Sequence, residues 1–152
     1  MTVQHVEPAT FEQEWADWRQ RREAALADAH GFLAITSINW LSEELQGFAD
    51  APGFVEFEAG GQPQRLTAFD GQAPGSLTLL FTDATSGVTT YAANRSLAVA
   101  APAEDGTVAL DFNRAVNLPC AFTDLATCPL PPAENHLQVA VEAGEKIPYE
   151  RA

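Results

Sequence analysis

The chain has 152 residues, of which 46% are hydrophobic and 19% charged, and its formal net charge is −13 at pH 7. A chain of this length can bury a substantial core as one domain. Because so negative a surface repels phosphate groups, we expect neither nucleic acid nor an anionic membrane as a partner. No apolar run approaches the roughly 20 residues of a membrane-spanning helix, and residues 1–10 lack the features of a signal peptide. The sequence therefore indicates a soluble, cytoplasmic protein.

The amino-terminal part of the chain predicts an amphipathic helix over residues 10–28, after a loose lead-in at residues 1–9. Thr10 and Gln13 have the spacing of a capping box. The residues that follow at spacings of three and four form one stripe: Phe11, Trp15, Trp18, Arg22, Ala25, Leu26 and Ala29. Such a stripe is typical of a helix with one buried face. We expect this face to cover part of a sheet, and a second, short helix to follow at residues 38–45.

From residue 54 onward the sequence shows the alternation and turn signals of β-strands. Strands are predicted at residues 54–58, 64–69, 77–82, 88–91, 96–100, 107–110 and 137–141. Short strands separated by frequent turns are typical of an antiparallel sandwich or a small barrel. The sequence therefore predicts a single domain over residues 1–152 that is mainly β with an amino-terminal helix, or α+β in an alternative description. The β part spans residues 54–142.

Large apolar side chains supply the predicted core. Those that we expect in or beside it are Trp15, Trp18, Trp40, Leu79, Phe81, Phe112 and Phe122. The last two belong to a long tract, residues 110–135, that has no helical or strand period and contains both cysteines and four of the ten prolines. Since its aromatic and apolar residues argue against disorder, we predict an ordered loop over residues 111–135 that lies against the sheet.

The two cysteines, Cys120 and Cys128, are too few for a disulfide framework and lack a second pair of zinc ligands. We expect both to be reduced and buried. A disulfide that closes the loop is the alternative, but a reducing compartment disfavours it. Metal binding by Asp111, Glu134 and His136 lacks the clustered pattern of a metal site. We therefore expect no metal and no cofactor.

Several motifs carry a resemblance to a known family. They are Thr82–Gly87, Thr90-Tyr91, Arg95, Leu110–Ala115, Asn117, Pro119–Thr123, Ala126–Pro132, Glu134-Asn135 and Ala143–Glu145, together with Trp15, Trp18, Arg19, Arg22, Leu26, His30–Leu33 and Trp40-Leu41. This set resembles the bacterial and archaeal family of uncharacterised proteins labelled DUF1684, most specifically over Leu110–Asn135. The resemblance implies that these residues form one structural unit, and it implies no activity.

The chain departs from the family pattern at three places. Family members are usually longer, with an additional β segment where this chain has Ala51–Gly53. Asn94 stands where the family usually has glycine before Arg95. Val116 and Leu118 replace the usual tyrosine and proline. The first departure leaves open any function that the additional segment supports.

The polar residues of the central tract and of the strand before it form the candidate site. Arg95 and Arg114 have the paired donors that hold a carboxylate or phosphate, and neighbouring amide and phenol groups offer directed hydrogen bonds. The candidate ligand-binding residues are Tyr91, Arg95, Asp111, Asn113, Arg114, Asn117, Glu134 and Asn135. In the alternative interpretation the same side chains are structural, with Asp111–Arg114 and Glu134–Arg95 as buried ion pairs and the asparagines satisfying backbone groups.

Three functional hypotheses follow from this site. In the first, the domain binds a small anionic or polar ligand in a pocket formed by the 110–135 loop. In the second, a hydrolase uses the same pocket, with Cys120 or Cys128 as the nucleophile and His136 or His30 as the base. In the third, the loop is a purely structural or protein-interaction element. The sequence identifies no catalytic residue, and it leaves open whether the protein is an enzyme and whether it forms a homodimer.

Overall fold

The computed structural model describes residues 8–27 and 53–148, and the statements below refer to them. The chain divides into two compact units, Met1–Leu41 and Ser42–Ala152, which we describe separately. The predicted helix at residues 38–45 and the core position of Trp40 lie outside the described residues. Whether the whole chain forms one domain stays a prediction.

In the first unit the structure describes residues 8–27, which form a helix, α1, from Pro8 to Ala27; the predicted helix is confirmed. Proline suits this first position because it lacks the amide hydrogen that a first helical turn leaves unbonded. The side chains that are partly buried repeat the predicted stripe: Phe11, Trp15, Trp18, Arg22 and Leu26. The predicted contact of this stripe with a sheet stays a prediction. In the parts of the chain that the structure describes, no helix is long and apolar enough to cross a membrane.

The second unit contains a five-stranded antiparallel sheet. Its strands are β1 (Gly53–Ala59), β2 (Gln62–Asp70), β3 (Leu77–Phe81), β4 (Arg95–Val99) and β5 (Val116–Asn117). Their order in the sheet is their order in the chain. The prediction of a mainly β fold with an amino-terminal helix is therefore confirmed. The sheet is open, with β1 and β5 at its edges, and it does not close into the predicted barrel.

The hairpin between β1 and β2 turns at Gly60 and Gly61, as the sequence predicts. Both residues have positive φ angles, 61° and 72°, which a two-residue hairpin turn of this hand requires and which glycine adopts without strain. Gly60 also lies against the carboxyl-terminal part of the chain, because a Cβ atom there would be 2.8 Å from Cγ1 of Val139. The turn therefore serves both the hairpin and the packing beside it.

Three of the predicted strands, at residues 88–91, 107–110 and 137–141, are not strands. The first is a tight turn in which the carbonyl of Thr85 accepts hydrogen bonds from the amides of Val88, Thr89 and Thr90. This local bonding overrides the preference of β-branched residues for strands. The other two segments form no ladder with the sheet, and the second bends at residues 138–139, but their alternating apolar side chains pack against the core.

One face of the sheet carries the core. Its buried apolar residues are Val55, Leu66, Ala68, Leu79, Phe81, Leu97, Val99, Ala115 and Leu137. Partly buried side chains pack against them from β1, from β3 and from the two irregular segments: Phe57, Leu77, Val108, Leu110, Phe112, Val139 and Val141. The irregular segments therefore cover the core face without adding strands to the sheet.

The aromatic residues account for part of the predicted core. The ring of Phe112 meets the edge of Phe81 at a centroid distance of 5.5 Å and the ring of Phe57 at 5.7 Å, both typical separations of aromatic pairs. The core positions of Leu79, Phe81 and Phe112 are confirmed. Phe122 is only partly buried.

Candidate functional site

Arg95, the first residue of β4, is buried in an ion pair. Its Nη2 atom lies 2.8 Å from Oδ2 of Asp83, and the two side chains are 1% and 0% exposed. The guanidinium also donates to the backbone carbonyls of Val141 and Ala143 at 2.8 and 2.5 Å, and its Cζ atom lies 5.3 Å from the centre of the Phe81 ring. Arg95 therefore holds the carboxyl-terminal segment onto the sheet and does not face solvent.

Asp83 is the structural partner that the sequence analysis missed. Its Oδ1 atom accepts hydrogen bonds from the amide and hydroxyl of Thr85 at 2.7 and 2.6 Å and from the amide of Val141 at 3.3 Å. Burial on its own would raise the pKa of Asp83, but the hydrogen bonds from Thr85, Arg95 and Val141 outweigh it and lower the pKa. The predicted pairing of Arg95 with Glu134 is wrong, because Glu134 is exposed and instead accepts from the Thr67 hydroxyl at 3.1 Å.

Asn135, another candidate residue, is completely buried between β2 and β3. Its Oδ1 atom accepts from the amide of Thr67 at 2.7 Å, and its Nδ2 atom donates to the carbonyls of Thr67 and Leu80 at 2.9 and 2.8 Å. These are the groups that a strand partner would otherwise satisfy, since β2 and β3 pair only at Phe69–Thr78 and Asp70–Leu77. The side chain of Asn135 therefore substitutes for the missing part of the β2–β3 ladder.

The backbone beside Asn135 fills the same opening. The amide of Thr82, just beyond β3, donates to the carbonyl of Asn135 at 3.0 Å, and the amide of Leu137 donates to the carbonyl of Thr82 at 2.9 Å. This single parallel bridge lets Leu137 reach the core. Thr82 also forms a hydrogen bond of 2.9 Å between its hydroxyl and Nδ1 of the exposed His136.

Asn117, in the edge strand β5, attaches the last described segment. Its Nδ2 atom donates to the carbonyl of Lys146 at 2.8 Å, and its own amide donates to Oε2 of Glu145 at 2.7 Å. The amide of Glu145 in turn donates to the carbonyl of Ala115 at 2.9 Å. Close approach here requires glycine at position 144, because a Cβ atom on Gly144 would lie 2.7 Å from that carbonyl oxygen.

Three candidate residues lie in or beside a short 3-10 turn near the surface, Phe112–Arg114, with Asp111 as its amino-terminal cap. Oδ1 of Asp111 accepts from the backbone amide and the side-chain amide of Asn113 at 3.1 and 2.9 Å. Oδ2 lies 3.2 Å from Nε of Arg114, whose side chain is 36% exposed. The predicted Asp111–Arg114 ion pair is therefore confirmed, but it lies at the surface and is not buried.

Tyr91 contacts a loop that is closed by a disulfide between Cys120 and Cys128. The expectation of two reduced cysteines is therefore wrong. The Tyr91 hydroxyl donates to the carbonyl of Cys120 at 2.9 Å, and Nδ2 of Asn94 donates to the carbonyl of Pro129 at 2.6 Å. These bonds hold the two ends of the loop beside residues 91–94. The Cα atoms of the cysteines are 5.8 Å apart, a normal disulfide separation. Because both sulfurs are bonded to each other, neither is a nucleophilic thiol in this structure.

The candidate residues thus divide into groups. Asp111, Asn113 and Arg114 bond to one another at the surface. Arg95 and Asn117 are register partners in β4 and β5 but bond to different groups. Across residues 8–27 and 53–148, no group of three or more His, Cys, Asp or Glu side chains is placed to hold a metal ion.

The site prediction omitted Asp83 and Asn94, although the sequence around each residue contains a signal for it. Asp83 precedes Thr85 by two positions, which is the spacing of a side-chain-capped turn, and it follows the strand predicted at residues 77–82. Asn94 lies directly before Arg95 and reaches across to the disulfide loop. Neither signal reveals the partner, because each contact joins segments that are far apart in the chain.

The fold and the site together define a class of protein: an open antiparallel sheet whose buried polar side chains fix a long, irregular carboxyl-terminal half. Within this class, the chain belongs to the family described as "Protein of unknown function (DUF1684)", whose family model matches residues 16–146. The resemblance seen in the sequence is thereby confirmed.

Among solved structures, the chain is similar to an uncharacterised protein of Haloarcula marismortui determined by solution NMR. The two are 35% identical, with a TM-score of 0.53, and the match covers 61% of this chain and 53% of that chain. The matched region therefore spans about half the length of the archaeal protein. No curated protein matches the chain.

Proposed function

We propose that the protein binds a small anionic or polar ligand at the surface turn Asp111–Arg114, while Arg95, Asn117 and Asn135 serve as scaffold. The observation that carries this proposal is that Arg114 is 36% exposed and lies 3.2 Å from Asp111. A guanidinium held by a neighbouring carboxylate loses less conformational freedom when it binds a planar anion.

The turn has the rigidity that a binding surface needs. Phe112, within the turn, packs on Phe81 and Phe57, and Ala115, directly after it, is completely buried. Asn113 is exposed and adds an amide beside the cation. Since an incoming anion shares Arg114 with Asp111, we expect weak binding that salt weakens further. A small carboxylate or phosphate fits this chemistry best.

The test is a thermal-shift screen against small carboxylates and inorganic phosphate, followed by isothermal titration with each compound that raises the unfolding temperature. Arg114→Gln should remove binding and leave the unfolding temperature without ligand nearly unchanged, because surface ion pairs contribute little to stability. Arg65→Gln is the matched control, since Arg65 is also an exposed arginine but lies in β2, where its Cζ atom is 3.4 Å from the centre of the Phe54 ring. Binding that survives Arg114→Gln, or that both variants lose equally, contradicts the proposal.

A hydrolase is the second candidate, and one observation favours it. The Thr82 hydroxyl and the His136 imidazole are at hydrogen-bond distance, 2.9 Å, as a nucleophile and its base must be. A panel of simple esters and phosphoesters, assayed with the wild type, His136→Ala and Thr82→Val, tests this candidate. Turnover that His136→Ala abolishes supports it, and equal turnover in all three proteins removes these residues from any mechanism.

A further inference from the structure

The disulfide loop is constrained in two independent ways. One is the covalent bond between Cys120 and Cys128. The other is the pair of hydrogen bonds from Tyr91 and Asn94, which reach the carbonyls at the two ends of the loop. The hydrogen bonds do not involve sulfur, so they persist when the disulfide is broken. Opening the disulfide therefore frees the interior of the loop and leaves its ends in place.

The two cysteine residues differ in burial. Cys120 is buried, with 9% of its surface exposed, and follows Pro119 in a short 3-10 turn. Cys128 is more exposed and precedes Pro129 in an extended segment. An attacking thiolate needs access to one sulfur of a disulfide, and Cys128 is the less buried of the two residues. The interior of the loop is also open to solvent, since Leu125 is 83% exposed.

We propose that Cys120–Cys128 is a redox-operated clasp that a small dithiol opens without unfolding the sheet. A thiolate of the dithiol attacks Sγ of Cys128, the disulfide breaks, and Sγ of Cys120 leaves as a thiolate that takes up a proton. The second thiol of the reductant then attacks the mixed disulfide and releases Cys128 as a thiol. Two electrons pass to the protein, and the dithiol becomes a disulfide.

The two states differ in the order of residues 121–127. In the oxidised state this segment is held at both ends by a covalent bond and shows one conformation with Leu125 exposed. In the reduced state the hydrogen bonds from Tyr91 and Asn94 and the short 3-10 turn at Pro119–Ala121 hold its ends, and the residues between them exchange among many conformations. The surface that the loop offers to any partner therefore depends on the redox state, independently of the ligand site proposed at Asp111–Arg114.

Hydrogen exchange of the full-length protein, with and without dithiothreitol, tests the clasp. After reduction we expect the amides of residues 121–127 to exchange about tenfold faster or more, while the amides of β3 and β4 change by no more than about twofold. The double variant Cys120→Ser, Cys128→Ser should show the same fast loop without reductant. Unchanged loop exchange, or equal loss of protection in β3 and β4, overturns the proposal.

Tyr91→Phe tests whether the end of the loop has its own anchor. This variant removes the hydroxyl that donates to Cys120 and keeps the ring. In the oxidised protein it should leave exchange near the wild-type pattern, because the disulfide still holds the loop. In the reduced protein the fast region should spread to the amide of Cys120, since Pro119 before it has no amide hydrogen. If reduction frees the same residues in both proteins, the hydrogen-bond anchor is refuted.

Discussion

Asp83→Asn removes one negative charge from a buried ion pair and changes the side-chain shape very little. The guanidinium of Arg95, whose side chain is 1% exposed, then has no counter-ion. Removing one partner of a buried pair typically costs about 3–5 kcal/mol. Here we expect the lower end of the range, about 3 kcal/mol, because Arg95 keeps two carbonyl acceptors.

Equilibrium unfolding in urea, extrapolated linearly to water, measures this cost. Asp111→Asn is the matched control, since it breaks an aspartate–arginine pair whose side chains are 26% and 36% exposed. Surface pairs contribute at most about 1 kcal/mol. If the two variants lose the same free energy of unfolding to within about 0.5 kcal/mol, the pair at Asp83 is not a buried determinant of stability. The double variant Asp83→Leu, Arg95→Met should recover most of the loss, because apolar replacement of a whole buried pair is often neutral.

Three further predictions follow from the same contacts. The pKa of Asp83 is lowered in the folded protein, so its stabilising effect is complete above the unfolded-state pKa of about 3.9 and is lost as the pH falls through the folded-state value. Urea titrations between pH 7 and pH 3 should therefore show the difference in free energy of unfolding between wild type and Asp83→Asn shrinking in acid, and a constant difference refutes this. Asn135→Ala leaves three backbone groups between β2 and β3 without partners and should lower the free energy of unfolding by about 3 kcal/mol in the same assay. A loss under about 1 kcal/mol would show that β2 and β3 pair with each other when Asn135 is absent. Gly144→Ala combines a φ of 86° with a clash against backbone atoms, and it should destabilise the protein more than Gly106→Ala, whose φ is 78° but whose added Cβ meets nothing within 4 Å. The Gly106→Ala control should lose about 1 kcal/mol of unfolding free energy, and equal losses in the two variants contradict the close approach at Gly144.

Alternation in the sequence predicted which side chains face the core better than it predicted strands. Leu137, Val139 and Val141 lie in or against the core as an extended segment requires, yet they belong to no strand. Alternation reports only that a chain is extended and has one apolar side. Whether an extended segment joins a ladder depends on free edge groups nearby, and Asn135 with its neighbours occupies the groups that β2 and β3 leave open.

The candidate site was predictable as a set of ordered polar residues, but its pairings were not. Arg95 was expected to pair with Glu134 and instead pairs with Asp83. That contact follows from the register of β3 and β4, which places Arg95 opposite Phe81, two residues before Asp83. A single sequence does not contain this register. The cysteines were expected to be reduced because a reducing compartment was assumed, and composition does not fix the compartment.

The central claim is that buried polar side chains fix the irregular carboxyl-terminal half to the sheet. Amide hydrogen exchange tests it most directly at three amides whose hydrogen is accepted by a side-chain oxygen: Thr67 with Asn135, Thr85 with Asp83, and Asn117 with Glu145. We expect these amides to be protected to the same order as those of β3. Exchange of all three at the rate of an open loop would contradict the account.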